Sequence, residues 1–133
     1  SALVTAVPGS SAWFERGFVT YSNVAKQDML RVDPETLAEH GAVSEATVRA
    51  MAEGAIAASR AQLSLAISGV AGPAGGSAAK PVGLVCLAWA RRGGETRVRC
   101  LRCQGTREQV RRRAVAEALE GVLDLLGAAA HDP

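Results

Sequence analysis

The residues best suited to chemistry in this sequence are Lys26 and, five positions earlier, Tyr21. Thirteen of the fifteen basic residues are arginine, which leaves Lys26 and Lys80 as the only lysines. A guanidinium cannot give up its proton, whereas an amine can. A lysine surviving in so arginine-biased a chain is therefore a candidate for work that needs a neutral amine. The corresponding chemistry is general-base catalysis, in which the amine takes a proton from a hydroxyl nucleophile. Working near neutral pH requires a bias of about 4 kcal/mol toward the neutral amine, from desolvation and from the positive end of a helix dipole acting together. Tyr21 is placed to orient the amine or relay its proton. The plainer alternative is a surface lysine beside a core tyrosine.

The second chemical feature is the run from Ser68 to Ser77, SGVAGPAGGS, with four glycines, one proline and two serines in ten residues. So little side-chain bulk suits a backbone that approaches a ligand closely, and Ser68, Gly69, Gly72, Gly75, Gly76 and Ser77 are the candidate contacts. The loop follows an apolar strand, and ligands of open α/β sheets sit beyond the carboxyl ends of strands. It is not a P-loop, since no Gly-Lys-Ser/Thr follows at the required spacing. A merely mobile loop is the alternative. Arg107 begins the last helix, where free amides and a guanidinium could hold a phosphate. Arg111, Arg112 and Arg113 crowd the same turn; an ordinary solvated face is the equal alternative for Arg107 and the preferred reading for Arg112 and Arg113.

Other constellations fail on spacing. Cys100 and Cys103 have the separation of half a metal site, yet in a strand that separation directs the two sulfurs to opposite faces. There is no second pair, and His40 and His131 are isolated, so no metal is expected. The cysteines read as small buried hydrophobes. Arg91, Arg92, Arg97, Arg99 and Arg102 cluster on a hairpin without interleaved aromatic residues, which suits a charged sheet edge better than a nucleic-acid surface.

The elements that must position these groups follow from periodicity and caps. Ala2–Val7 reads as the tail of a helix stopped by Pro8-Gly9, and Phe18–Tyr21 as a short strand. Trp13 and Phe14, just before it, read as core anchors. Asn23 is the expected N-cap of a helix over Val24–Val32 that carries Lys26 at its third position. Pro34 inside an Asp33 cap starts a helix ended by Gly41, and Ser44 opens a longer one running to about Arg60. Strands follow at Leu63–Ile67, Val82–Ala90 and Thr96–Cys103, the last two joined by an Arg-Arg-Gly-Gly turn. Gly105-Thr106 caps a final helix with an apolar stripe, expected to fray from Ala128 to Pro133. The expected architecture is a single α/β domain, a three-layer α/β/α sandwich around a mixed β-sheet.

Composition sets outer bounds. The sequence has 133 residues, 48% of them hydrophobic and only 4% aromatic, enough for one aliphatic core. A formal net charge of +2, with 13 acidic residues interspersed, gives no field for a polyanion, so no nucleic-acid partner is expected. An odd cysteine count and the lack of a long apolar stretch point to a cytoplasmic protein with no membrane partner. The expected partner is a small molecule, and the apolar helices leave room for a homo-oligomer.

Several segments together carry a family resemblance. Gly9-Ser10-Ser11-Ala12-Trp13-Phe14-Glu15-Arg16-Gly17, leading into Tyr21-Ser22-Asn23-Val24-Ala25-Lys26, resembles the C-terminal domain of CinA. So do Gly41-Ala42-Val43-Ser44, the Ser68–Ser77 loop and Lys80-Pro81-Val82-Gly83, in the same order and spacing. The resemblance implies a nicotinamide-nucleotide amidase, which converts nicotinamide mononucleotide and water to nicotinate mononucleotide and ammonia without metal or organic cofactor. It also implies that Lys26 is the catalytic base, Tyr21 its partner and the glycine-rich loop the substrate side.

The departure from the family is the nucleophile. The family's serine lies in a Glu-Ser-Cys-Thr-Gly-Gly motif ahead of the helix that Ala2–Val7 would finish, and nothing in this sequence matches it. Residues 1–133 are thus expected to be an N-terminally truncated domain, inactive as it stands, of a protein working by a serine–lysine acyl-enzyme mechanism. A non-catalytic nucleotide-binding or oligomerisation module is the alternative.

Overall fold

The computed structural model describes residues 1–131. A four-residue helix, α1 (Ala2–Thr5), leads through a 3-10 turn at Ser10–Ala12 into an irregular stretch. Three helices follow, α2 (Asn23–Leu30), α3 (Pro34–His40) and α4 (Glu45–Ala57). Strands β1 (Leu63–Gly69), β2 (Leu84–Arg91) and β3 (Arg97–Arg102) come next, and α5 (Arg107–His131) closes the chain. The helix starts follow their caps. Asp33 accepts the amide of Glu35 ahead of Pro34, and Ser44 accepts the amide of Thr47. Thr106 and Gln109 cap α5 reciprocally, each side chain accepting the other's backbone amide.

β2 is the organising strand. It pairs antiparallel with β1 on one side and β3 on the other. Alternate β2 side chains face opposite layers. Cys86, Ala88 and Ala90 join the core built with α2, α3 and α4, while Val85, Leu87 and Trp89 join the core built with α5. The result is the expected α/β/α sandwich. Trp89 anchors the second layer by donating its indole hydrogen to the Ala118 carbonyl at 2.8 Å.

The structure corrects several local expectations. Phe18–Tyr21 keeps a strand's alternation, Thr20 being buried while Val19 and Tyr21 are 84% and 88% exposed, but it pairs with no strand among the described residues. Without it the sheet of the described residues is antiparallel throughout instead of mixed. Ser22, not Asn23, caps α2, because its extended backbone lets Oγ accept the Ala25 amide, and Lys26 moves from the third to the fourth helical position. Helix α4 stops at Ala57, short of Arg60. There Arg92 donates to the Ile56, Ser59 and Ala61 carbonyls at 2.7, 2.9 and 3.0 Å, at and just beyond the helix end. Trp13 is 65% exposed and so is no core anchor. Helix α5 continues past Ala128 to His131, against the expected fraying, and Asp132 and Pro133 lie outside the described residues.

The cysteines divide as strand geometry requires, but not all as buried hydrophobes. Cys103 is buried and unpaired on the α5 face. Cys100, on the opposite face of edge strand β3, is exposed and bonded to Cys86 across the ladder.

One close approach fixes where α2 lies. A Cβ added at Gly54 in α4 would collide with the Leu30 carbonyl oxygen at the end of α2. Alanine there would gain about 1 kcal/mol of helix propensity, but it would push apart two packed backbones at a cost of about 1–3 kcal/mol. Gly54→Ala is therefore expected to lower stability by about 1 kcal/mol in urea unfolding, and a more stable variant would show that the two helices do not pack this closely.

Candidate active site

Lys26 is a lysine turned inward. The Ser22 cap starts α2, and the Lys26 amide makes the first full helical bond, to the Ser22 carbonyl at 3.1 Å. The side chain then runs back beside the irregular segment that precedes the helix. Nζ donates to the Thr20 carbonyl at 2.6 Å and approaches the Tyr21 carbonyl at 3.4 Å. The residue is only 5% exposed. No carboxylate pairs with it among the described residues. Burial without a counter-charge disfavours the ammonium form, so desolvation lowers the pKa of Lys26 below the ordinary lysine value.

Tyr21 meets this amine through its backbone and not its phenol. Its side chain projects into solvent, so the structure does not bring the hydroxyl to Nζ as a relay would require. The open groove beside α2, about 550 Å³, is lined by Gln27, Asp28, Arg31, Val32, Asp33 and Pro34 and does not include Lys26.

The glycine-rich loop is tied on both sides. Ser68 is buried and donates its hydroxyl to the Ala42 carbonyl at 2.7 Å, linking the end of β1 to the α3–α4 connection. In that connection the Gly41 carbonyl also accepts the hydroxyls of Ser44 and Thr47, at 3.2 and 2.5 Å. Lys80 donates to the His40 carbonyl at the end of α3. Within the loop, the Ser77 amide donates to the Lys80 carbonyl at 2.8 Å, and the Lys80 amide donates to Ser77 Oγ at 3.1 Å. From the α5 side, Arg107 donates to the Gly72 carbonyl at 3.0 Å. Arg107 thus fastens the loop, a role that sequence alone does not separate from phosphate binding.

Gly76 shows why the loop is glycine-rich. Its φ is +85°, and an added Cβ would sit 2.9 Å from the Val82 amide nitrogen, so both dihedral and space exclude a side chain. Gly69 ends β1 against Val85, whereas the Gly75 position faces open space apart from a distant contact to Val70. The serine hydroxyls are engaged internally, which leaves the loop's backbone as its means of contacting a ligand.

The arrangement is that of an α/β domain with a desolvated amine and a braced glycine loop, and comparison with known proteins places it. Residues 1–126 match the model of the CinA C-terminal domain. The chain belongs to that family. It is 57% identical over 120 residues to the nicotinamide-nucleotide amidohydrolase PncC of Escherichia coli K12, covering 89% of this chain and 72% of that protein. It is 50% identical to a CinA-like protein of Akkermansia muciniphila, of which it covers only 29%. Among solved structures, the competence/damage inducible protein CihA from Agrobacterium tumefaciens superposes with a TM-score of 0.91 at 48% identity, covering 93% of this chain and 76% of that one.

The lowered pKa of Lys26 has a measurable consequence for stability. Below its folded pKa the amine is charged in both states and its full burial penalty applies. Between that value and the ordinary unfolded value the unfolded chain binds more protons, so stability attributable to this group rises with pH. Measured by urea unfolding at pH 7 and pH 10, the stability of the wild type relative to Lys26→Met should shift in favour of the wild type at the higher pH. A difference that stays flat would mean that the folded amine titrates as it does in the unfolded chain.

Proposed function

We propose that the protein containing this domain is a nicotinamide-nucleotide amidase, which hydrolyses the carboxamide of nicotinamide mononucleotide to give nicotinate mononucleotide and ammonia. The observation that carries the reading is the Lys26 amine, buried, lacking a counter-charge and held by two backbone carbonyls. Burial lowers the proton affinity of such an amine, which favours the neutral, proton-accepting form more than in an exposed lysine. The curated name of the Escherichia coli relative supplies the substrate.

The mechanism we assign is acyl transfer. A serine hydroxyl attacks the carboxamide carbon while Lys26 takes its proton, ammonia leaves with a proton returned by Lys26, and water clears the acyl-enzyme with Lys26 again as base. No serine hydroxyl bonds to Nζ among the described residues, so residues 1–133 alone are expected to bind nucleotide without turning it over. The backbone amides of Gly75 and Gly76 have no protein partner among the described residues and are suited to an oxyanion or phosphate oxygen. Ser68, Gly69, Gly72 and Ser77 shape that loop, and Arg107 fixes it from behind. Tyr21 is assigned to the substrate side on the exposure of its side chain, while its carbonyl accepts from the amine.

A second reading, a module that binds nucleotide or a second copy without chemistry, is favoured by the exposed Leu3, Val7, Trp13, Val19 and Val24. The two readings part on turnover. A chain extended ahead of Ser1 by the family's Glu-Ser-Cys-Thr-Gly-Gly segment should convert nicotinamide mononucleotide to nicotinate mononucleotide, detected by mass, with a rate that rises as Lys26 deprotonates. Lys26→Arg in that chain should lower the rate by at least about a hundredfold with the fold intact, because guanidinium cannot act as the base. Ammonia release near the parent rate in that variant would remove Lys26 from the mechanism.

A further inference from the structure

We propose that Cys86 and Cys100 form a reversible dithiol–disulfide pair, with Cys100 the sulfur at which small-molecule disulfides react. The two residues stand directly opposite each other in the β2–β3 ladder, with their Cα atoms 4.1 Å apart. That is the close spacing of a non-hydrogen-bonded antiparallel pair, in which side chains on one face meet. Their environments differ sharply. Cys86 lies in the core on the central strand, whereas Cys100 is exposed on the edge strand. An exposed thiol with a buried thiol beside it has the arrangement of an attacking and a resolving cysteine.

The third cysteine does not compete. Cys103 lies three residues further on, buried in the α5-side core on the opposite face of the sheet. Oxidation is therefore confined to one pair by topology.

The exchange with glutathione disulfide balances in two steps. The Cys100 thiolate attacks one sulfur of glutathione disulfide, forming a mixed disulfide and releasing one glutathione thiolate. The Cys86 thiolate then attacks the Cys100 sulfur, closing the Cys86–Cys100 bond and releasing the second glutathione. The two cysteine protons pass through solvent to the departing thiolates, and the two electrons lost by the pair reduce one glutathione disulfide to two glutathiones.

The pair also lies next to the candidate site. Cys86 is paired on its other side with Ser68 of β1, whose hydroxyl braces the glycine-rich loop against Ala42. Closing the disulfide joins β2 to β3 at the rung that also carries Ser68.

The test begins with fully reduced protein incubated with glutathione disulfide at neutral pH and then denatured for thiol titration. Titratable thiols should fall from three to one, and peptide mapping should recover Cys86 linked to Cys100. Cys100→Ser should slow the reaction at least about tenfold, since only buried thiols remain. Cys86→Ser should stop at a stable glutathione adduct on Cys100. Three thiols persisting in the wild type would overturn the proposal, as would an adduct mapped to Cys103 or undiminished reaction of Cys100→Ser. The wild-type mapping decides the matter even if a substitution in the core impairs folding.

Discussion

The interaction on which the candidate site depends is the contact of one lysine amine with two backbone carbonyls just upstream of its own helix. An ammonium in that position is deprived of water and has neutral acceptors in place of a carboxylate. The buried Thr20 carbonyl would lose its protein partner if the amine were removed, since the segment containing Thr20 and Tyr21 pairs with no strand among the described residues. Amine and segment therefore depend on each other: the segment desolvates Lys26, and Lys26 supplies the donor that a sheet would otherwise provide. Burial of this kind opposes stability at neutral pH, and groups with shifted proton affinity cluster at functional sites.

Because the amine is carried by a helix of only eight residues, its placement is determined by what that helix packs against. The contact of Leu30 with Gly54 brings the end of α2 onto α4, and α4 lies on the sheet face formed by alternate residues of β2. The chain of support thus runs from β2 through α4 to α2 and ends at Nζ. Each link is a packing contact, and a displacement at Gly54 would be transmitted to the amine by rigid helices.

Much of this was legible in the sequence, and the failures share a cause. Caps, helix starts and the three strands from Leu63 to Arg102 follow from local patterns, because Asp33-Pro34, Ser44 and the Arg-Arg-Gly-Gly turn act on their immediate neighbours. Lys26 was identifiable from residue type alone. The misread features depend on distant partners. Phe18–Tyr21 has the composition of a strand, but composition does not say whether a strand lies beside it. Cys100 has the composition of a core residue, but its exposure follows from β3 being an edge. The tie of Arg107 to the Gly72 carbonyl, 35 residues earlier, likewise has no local signature. The bracing of the glycine-rich loop was hidden for the same reason, since its ties to Ala42, His40 and Arg107 come from three separate elements.

Those ties explain how a loop poor in side chains can be ordered. Alternation along β2 separates the molecule into two cores, and the loop leaves the end of β1 with Ala71 packed against the α5-side core. Ser68 and Lys80 fasten it to the α3–α4 layer, and Arg107 fastens it to α5, so its backbone is referred to both layers at once. Fixing each residue of an unbraced chain costs about 1–2 kcal/mol of conformational entropy, which a ligand would otherwise have to offset on binding. Bracing moves that cost into folding, where the two cores meet it. The outcome is a loop braced at Ser68, Lys80 and Arg107, and in such a loop the informative substitutions lie at those ties.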